Sequence, residues 1–109
     1  MKGIGVDIVE LNRLNIDNEH FLKRILTQKE YLIFQSINNE KRKREYLGGH
    51  FAGKEAYMKA CHLGLGKIAF TDIEILNDED GCPYLNDEHA HISISHENEY
   101  AIAFVLKEK

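Results

Sequence analysis

Lys54, Glu55 and Lys59 sit in one stretch, "GGHFAGKEAYMKA" (residues 48–60), and are the residue types that phosphate chemistry needs. An ammonium group neutralises phosphate oxygens, and a carboxylate holds a hard cation that does the same. At helical spacing Glu55 and Lys59 share a face, with Lys54 about a quarter-turn away. Taken alone, the same pair is also an ordinary exposed Glu–Lys contact worth about 0.3–0.5 kcal/mol. The glycines argue for more than that. Gly48, Gly49 and Gly53 each cost a helix roughly 0.5–1 kcal/mol relative to alanine, so another chain segment or a ligand should come close there.

Asp7 is the second candidate. It interrupts "GIGVDIVEL" (residues 3–11), a β-branched, mostly apolar run that reads as a largely buried strand. A carboxylate there must be paired, hydrogen-bonded or bound to a cation. Beside Glu55 it would make a two-carboxylate oxygen site suited to Mg²⁺, which fills the rest of its shell with water and phosphate. Spacing cannot establish that meeting, since 48 residues separate the two. His96 ends the polar-faced run "SISH" and by itself reads as a surface or structural histidine. Ser93 and Ser95 lack the elbow motif of acyl hydrolases. "GLGKI" (residues 64–68) is not a P-loop, yet Gly64 and its neighbours could offer backbone N–H groups to a phosphate.

The elements that must position these residues follow from periodicity. "NEHFLKRIL" (residues 18–26) has helical apolar spacing, and "TQKE" (residues 27–30) is a capping box ahead of a second helix. Asn38 and Asn39 mark a break and a new cap. The longest helix runs from Glu40 to about His62, with Leu47, Phe51 and Met58 on an apolar face beside Tyr46 and Tyr57. The second half alternates: a strand over residues 69–78, a turn at "EDG", a short return strand "PYL", then a hairpin from residues 89–95 and 100–107. The fold class is α+β, an early strand and helices followed by an antiparallel meander.

Composition narrows the setting. The 109 residues are 43% apolar and 29% charged, in keeping with one globular domain over 1–109. No signal-peptide pattern and no run near 20 apolar residues appears, so a cytoplasmic protein without a membrane partner is expected. Cys61 and Cys82 have no metal-ligand spacing and read as free thiols. The net charge of −4 conceals an asymmetry: residues 13–59 hold ten Lys/Arg against six Asp/Glu, the remainder four against twelve. That basic region on an acidic protein points to an anionic ligand or partner rather than to nucleic acid, although "EKRKRE" (residues 40–45) is equally a solvated helix start.

The ordered set "GIGVDIVEL-N-R", "FLKRILT", "GHFAGKEAYMKA", "DIEI", "PYL" and "HISISHE-EYAIAFV" resembles the holo-acyl-carrier-protein synthase family, the small bacterial 4′-phosphopantetheinyl transferases. The resemblance spans nearly the whole chain. It implies a long helix packed on an antiparallel sheet, and transfer of 4′-phosphopantetheine from coenzyme A to a serine of an apo acyl carrier protein. It also implies release of 3′,5′-ADP, a place in fatty acid biosynthesis, and a homotrimer with coenzyme A between subunits. Asp7 and Glu55 match the family's Mg²⁺ ligands, and these two with Lys59 the catalytic set. Lys54 and Lys59 match lysines near the phosphates, Arg42 a nucleotide position, and His96 a histidine that reaches coenzyme A from an adjacent chain. Arg13 and Arg24 match residues that face the carrier protein. The chain departs from the family at "HFAGKEA", where His50 replaces an arginine near a phosphate and Gly53 an alanine. Weaker coenzyme A affinity with a pH dependence between about pH 6 and 7 is then expected. A trimeric binding module that kept the fold and lost the chemistry is the alternative, and a Mg²⁺-dependent nucleotide phosphoesterase a third reading.

Overall fold

The computed structural model describes residues 3–63 and 67–109. Strand β1 (Gly3–Glu10) leads through a 3-10 turn at Leu11–Arg13 into three helices, α1 (Glu19–Ile25), α2 (Gln28–Ser36) and α3 (Glu40–Ala60). Strands β2 (Ile75–Asn77), β3 (Pro83–Leu85), β4 (Ala90–His96) and β5 (Tyr100–Lys107) follow. All strand pairs are antiparallel, in a three-stranded sheet of order β1-β5-β4 and a two-stranded ribbon of β2 and β3.

Local chemistry sets the helix starts. Asn18 Oδ1 accepts from the Phe21 N–H at the start of α1. At α2 the expected capping box is present: Glu30 N–H donates to Thr27 Oγ1, and Thr27 N–H to Glu30 Oε1. Asn39 Oδ1 accepts from the Arg42 N–H and opens α3. The helix stops at Ala60, close to the expected end.

One expected strand is mostly something else. Of residues 69–78 only Ile75–Asn77 pair as a strand, and Phe70–Asp72 form a 3-10 turn. The Ala69 N–H donates to Asp72 Oδ2, while the Asn86 side chain takes up Asp72 O and the Glu74 N–H. Side chains therefore satisfy backbone groups that a ladder would otherwise have used.

Helix α3 lies across the inner face of the large sheet. Leu47, Ala52, Ala56 and Ala60 on the helix are buried, and so are Ala101, Ala103 and Val105 on β5. Small residues on both sides keep helix and sheet close. The closest approach is at β1. A Cβ added to Gly5 would lie 1.9 Å from Ala56 O, and one added to Gly3 would lie 2.0 Å from Ala60 O. Only glycine permits the strand to run against the helix backbone in this way.

The glycines inside α3 do a different job. A Cβ on Gly48 would meet Leu11 Cδ2, one on Gly49 would meet Ile94, and one on Gly53 would meet Ile75 and Ile92. The neighbouring element inferred from these glycines is thus the chain's own core.

Candidate active site

Strand alternation decides where Asp7 points. Gly3, Gly5 and Asp7 share one face of β1, the face turned to α3, whereas Ile4, Val6 and Ile8 lie on the other. The Gly5 approach holds β1 close to the helix turn that carries Glu55 and Lys59. There Lys59 Nζ donates to Val6 O at 3.0 Å and to Asp7 Oδ1 at 3.1 Å. The Lys59 side chain is 54% exposed and that of Asp7 18%, so the group opens to solvent.

Glu55 completes it. Burial pushes its carboxyl above the usual glutamate range, Asp7 pushes in the same direction, and Lys59 opposes both. Two carboxylates that feel each other's charge at a solvent-facing junction are suited to sharing a cation. The donor set is two carboxylates with a backbone carbonyl alongside, all hard oxygen, and it fits Mg²⁺ better than a thiolate- or imidazole-seeking metal. Among the described residues no larger cluster of metal-ligating side chains exists, so most of such an ion's shell would be left to water and substrate.

A second polar group borders a groove of about 360 Å³ between α3, the β2–β3 ribbon and β4. Arg42 and Glu45 on α3 and His96 at the end of β4 line it, together with Tyr46 and His50. Glu45 Oε1 lies 3.7 Å from Arg42 Nε, and Glu45 Oε2 lies 3.4 Å from His96 Nδ1. Among the described residues no hydrogen bond or ion pair links this group to Asp7, Glu55 and Lys59. One chain therefore carries two separate polar groups.

A family model described as the 4′-phosphopantetheinyl transferase superfamily matches residues 3–105. The chain belongs to that superfamily. It is a transferase of the holo-acyl-carrier-protein synthase type, with relatives alike over nearly their whole length. The holo-[acyl-carrier-protein] synthase of Oceanobacillus iheyensis is 46% identical over 114 residues, covering 97% of this chain and 95% of the relative. That of Anoxybacillus flavithermus is 49% identical over 115 residues, covering 98% and 95%. The crystal structure of a Bacillus anthracis holo-(acyl-carrier-protein) synthase in complex with CoA (3′,5′-ADP) superposes with a TM-score of 0.87. It is 45% identical, with 95% of this chain and 93% of that one covered. The α+β architecture with its long helix on an antiparallel sheet is the fold of these phosphopantetheinyl transferases.

Within this family frame, two expected phosphate contacts are corrected. Lys54 is fully buried, not beside the Glu55 group. Its Nζ donates to Ile25 O at 2.7 Å and to Glu30 Oε1 at 2.6 Å. Burial lowers its pKa, and Glu30 opposes that shift. Lys54 is a cross-tie from α3 to the end of α1 and the start of α2. His50 is corrected likewise. It is 5% exposed, stacks on Tyr46 at 4.0 Å, and sets Nδ1 2.8 Å from Tyr46 O and Nε2 3.0 Å from Ile75 O. Burial pushes its pKa down, against Glu30 and the two carbonyls; both ring nitrogens face carbonyl oxygens, and the neutral ring donates to only one of them.

Arg13 and Arg24 are both exposed, on the 3-10 turn and in the last turn of α1. Gly64 lies outside the described residues. Cys61 and Cys82 are free thiols. No described helix is long and apolar enough to cross a membrane.

Two residues of consequence were missed by sequence reasoning. Glu30 registered only as a helix-capping residue, yet it is fully buried and also accepts from the Ile75 N–H at 2.7 Å. Glu45 was submerged in a basic run. The signal available for it was its position one turn beyond Arg42 and one turn before Gly49, on the groove side of the helix.

Proposed function

We propose that the chain works as one domain that transfers 4′-phosphopantetheine from coenzyme A to a serine of an apo acyl carrier protein, releasing 3′,5′-ADP and supplying carrier for fatty acid biosynthesis. The observation that carries this reading is the solvent-open junction of Asp7, Glu55 and Lys59 on a chain of this family. Asp7 and Glu55 would hold Mg²⁺, which when bound polarises phosphoryl oxygens as a Lewis acid. The remaining work falls to the chain's own side chains. Lys59 is exposed enough to leave Asp7 and meet a phosphate oxygen, where its charge offsets what builds up as the serine oxygen attacks and 3′,5′-ADP departs. Arg42 and His96, on the rim of the groove, bind the nucleotide end. Arg13 and Arg24 face the acidic carrier protein and hasten encounter in a salt-sensitive way.

The two polar groups belong to one site only if subunits meet, and the exposed face of the sheet supports this. Ile4, Val6, Ile8, Ile102 and Phe104 form an apolar stripe, with Ile8 60% exposed. Covered by further copies in a homotrimer, that stripe becomes an interface, and the Asp7 group of one chain comes to face the groove of the next. Catalysis is cytoplasmic and needs neither membrane nor nucleic acid in this reading.

Incubating the protein with Mg²⁺, coenzyme A and an apo carrier protein, then weighing the carrier, tests the proposal. A phosphopantetheine adduct on the carrier serine is expected. An unmodified carrier refutes transfer, and 3′,5′-ADP formed equally fast without carrier indicates a phosphoesterase instead.

A further inference from the structure

We propose that Glu45 is a positioning residue for the nucleotide groove, holding Arg42 and His96 in place to receive an anionic ligand; this rests on the transferase reading above. The Glu45 side chain is only 10% exposed, although it is charged and the turn before it, with Lys41 and Arg42, is exposed. Its two oxygens serve two elements. Oε1 faces Arg42 Nε at 3.7 Å on its own helix, and Oε2 faces His96 Nδ1 at 3.4 Å on β4. Arg42 is otherwise a surface side chain, 73% exposed, and His96 is 46% exposed. Among the described residues Glu45 is the carboxylate within 4 Å of both.

The spacing suits positioning rather than locking. Neither distance is that of a closed hydrogen bond, so both side chains keep donors for another acceptor. A phosphate entering the groove finds a guanidinium and an imidazole already gathered, and less rotamer freedom is lost when it binds. The carboxylate also repels such a ligand, so removing it lowers KM through lost repulsion and raises it through lost positioning; positioning is the larger effect in this proposal, and the sign of the change tests it. The other charged or titratable groups near His96 are Glu97 beside it in the chain, Tyr100 on β5, and Tyr46 and His50 in the groove, the His50 ring nitrogens facing carbonyls.

The experiment is steady-state transfer with Glu45→Gln, which keeps the shape and removes the charge. We expect the coenzyme A KM to rise about three- to tenfold with kcat within about twofold, the size that partly exposed polar contacts of this kind carry. Glu45→Asp should recover part of the loss. In an Arg42→Met/His96→Asn background the Glu45→Gln change should have no further effect, because its route of action is gone. A KM that is unchanged or lower overturns the proposal, and so does an equal rise in the double-variant background, which would mark a general folding effect. Wild-type protein that fails to modify the carrier refutes the transferase reading itself; wild type that works alongside an indifferent Glu45→Gln refutes Glu45 alone.

Discussion

Lys54 and Glu55 are consecutive residues of one helix and lead opposite lives. Lys54 turns inward to a closed cluster with Glu30, where every polar atom has a partner and no solvent reaches. Glu55 turns towards Asp7 and Lys59 at the surface, in a group loose enough to admit a ligand. The chemical types are the same in both places, a carboxylate and an ammonium. Burial makes the difference: the inner pair has exchanged water for fixed partners and serves the fold, while the outer group keeps solvent access and can exchange partners.

Breaking the inner cluster should cost the most stability. Lys54→Met leaves the Glu30 carboxylate buried without its counter-charge, and a loss of about 3–5 kcal/mol is expected in urea unfolding. Adding Glu30→Gln should restore part of that, because the stranded charge is then gone. A Lys54→Met protein of wild-type stability but with weakened coenzyme A binding would return Lys54 to the phosphate site. Gly5→Ala comes next. Its methyl has nowhere to go but Ala56 O, so β1 must lift from α3. A cost of about 1–3 kcal/mol is expected, with Asp7 carried away from Glu55 and transfer reduced beyond what the stability loss explains.

Acid titration gives a smaller effect. Because burial lowers the His50 pKa in the fold, the unfolded chain takes up the proton first as pH falls through its ordinary range. The stability His50 contributes is present above about pH 6.5 and declines below it. The stability difference between wild type and His50→Asn should therefore shrink from pH 7.5 to 5, while His50 gives the coenzyme A KM no dependence between pH 6 and 8. A KM that follows a His50 titration in that window would show the ring reaching the phosphates after all. Smallest is Gly53→Ala. The added methyl meets the side-chain ends of Ile75, Ile92 and Ile94, which can shift, and the helix gains about 1 kcal/mol of propensity. The net change in thermal unfolding should stay within about 1 kcal/mol.

Much of this was legible in advance. Strand β1, the Thr27–Glu30 capping box, the Asn39 cap and the final hairpin follow from short-range patterns, which is why they came through. The meeting of Asp7 with Glu55 and Lys59 could be conjectured from chemistry, and family resemblance pointed to it. What was hidden depends on tertiary packing. Helical spacing places Lys54 a quarter-turn from Glu55 but does not say which of them faces the core. The phosphate role expected of Lys54 fails because Ile25 O and Glu30 lie on that side, contributed by segments 24 or more residues away. His50 resembled a weakened phosphate ligand for the same reason: its partners, Tyr46 O and Ile75 O, are backbone atoms with no signature in side-chain pattern.

The comparison stands or falls on Glu55. Initial rates of carrier modification by Glu55→Gln, beside its unfolding midpoint, test it most directly. Loss of transfer by about a hundredfold or more, with stability equal to or above wild type because a partly buried charge has gone, is the predicted result. Near wild-type transfer by a folded Glu55→Gln protein would contradict the assignment of the Asp7–Glu55–Lys59 junction as the centre of the reaction.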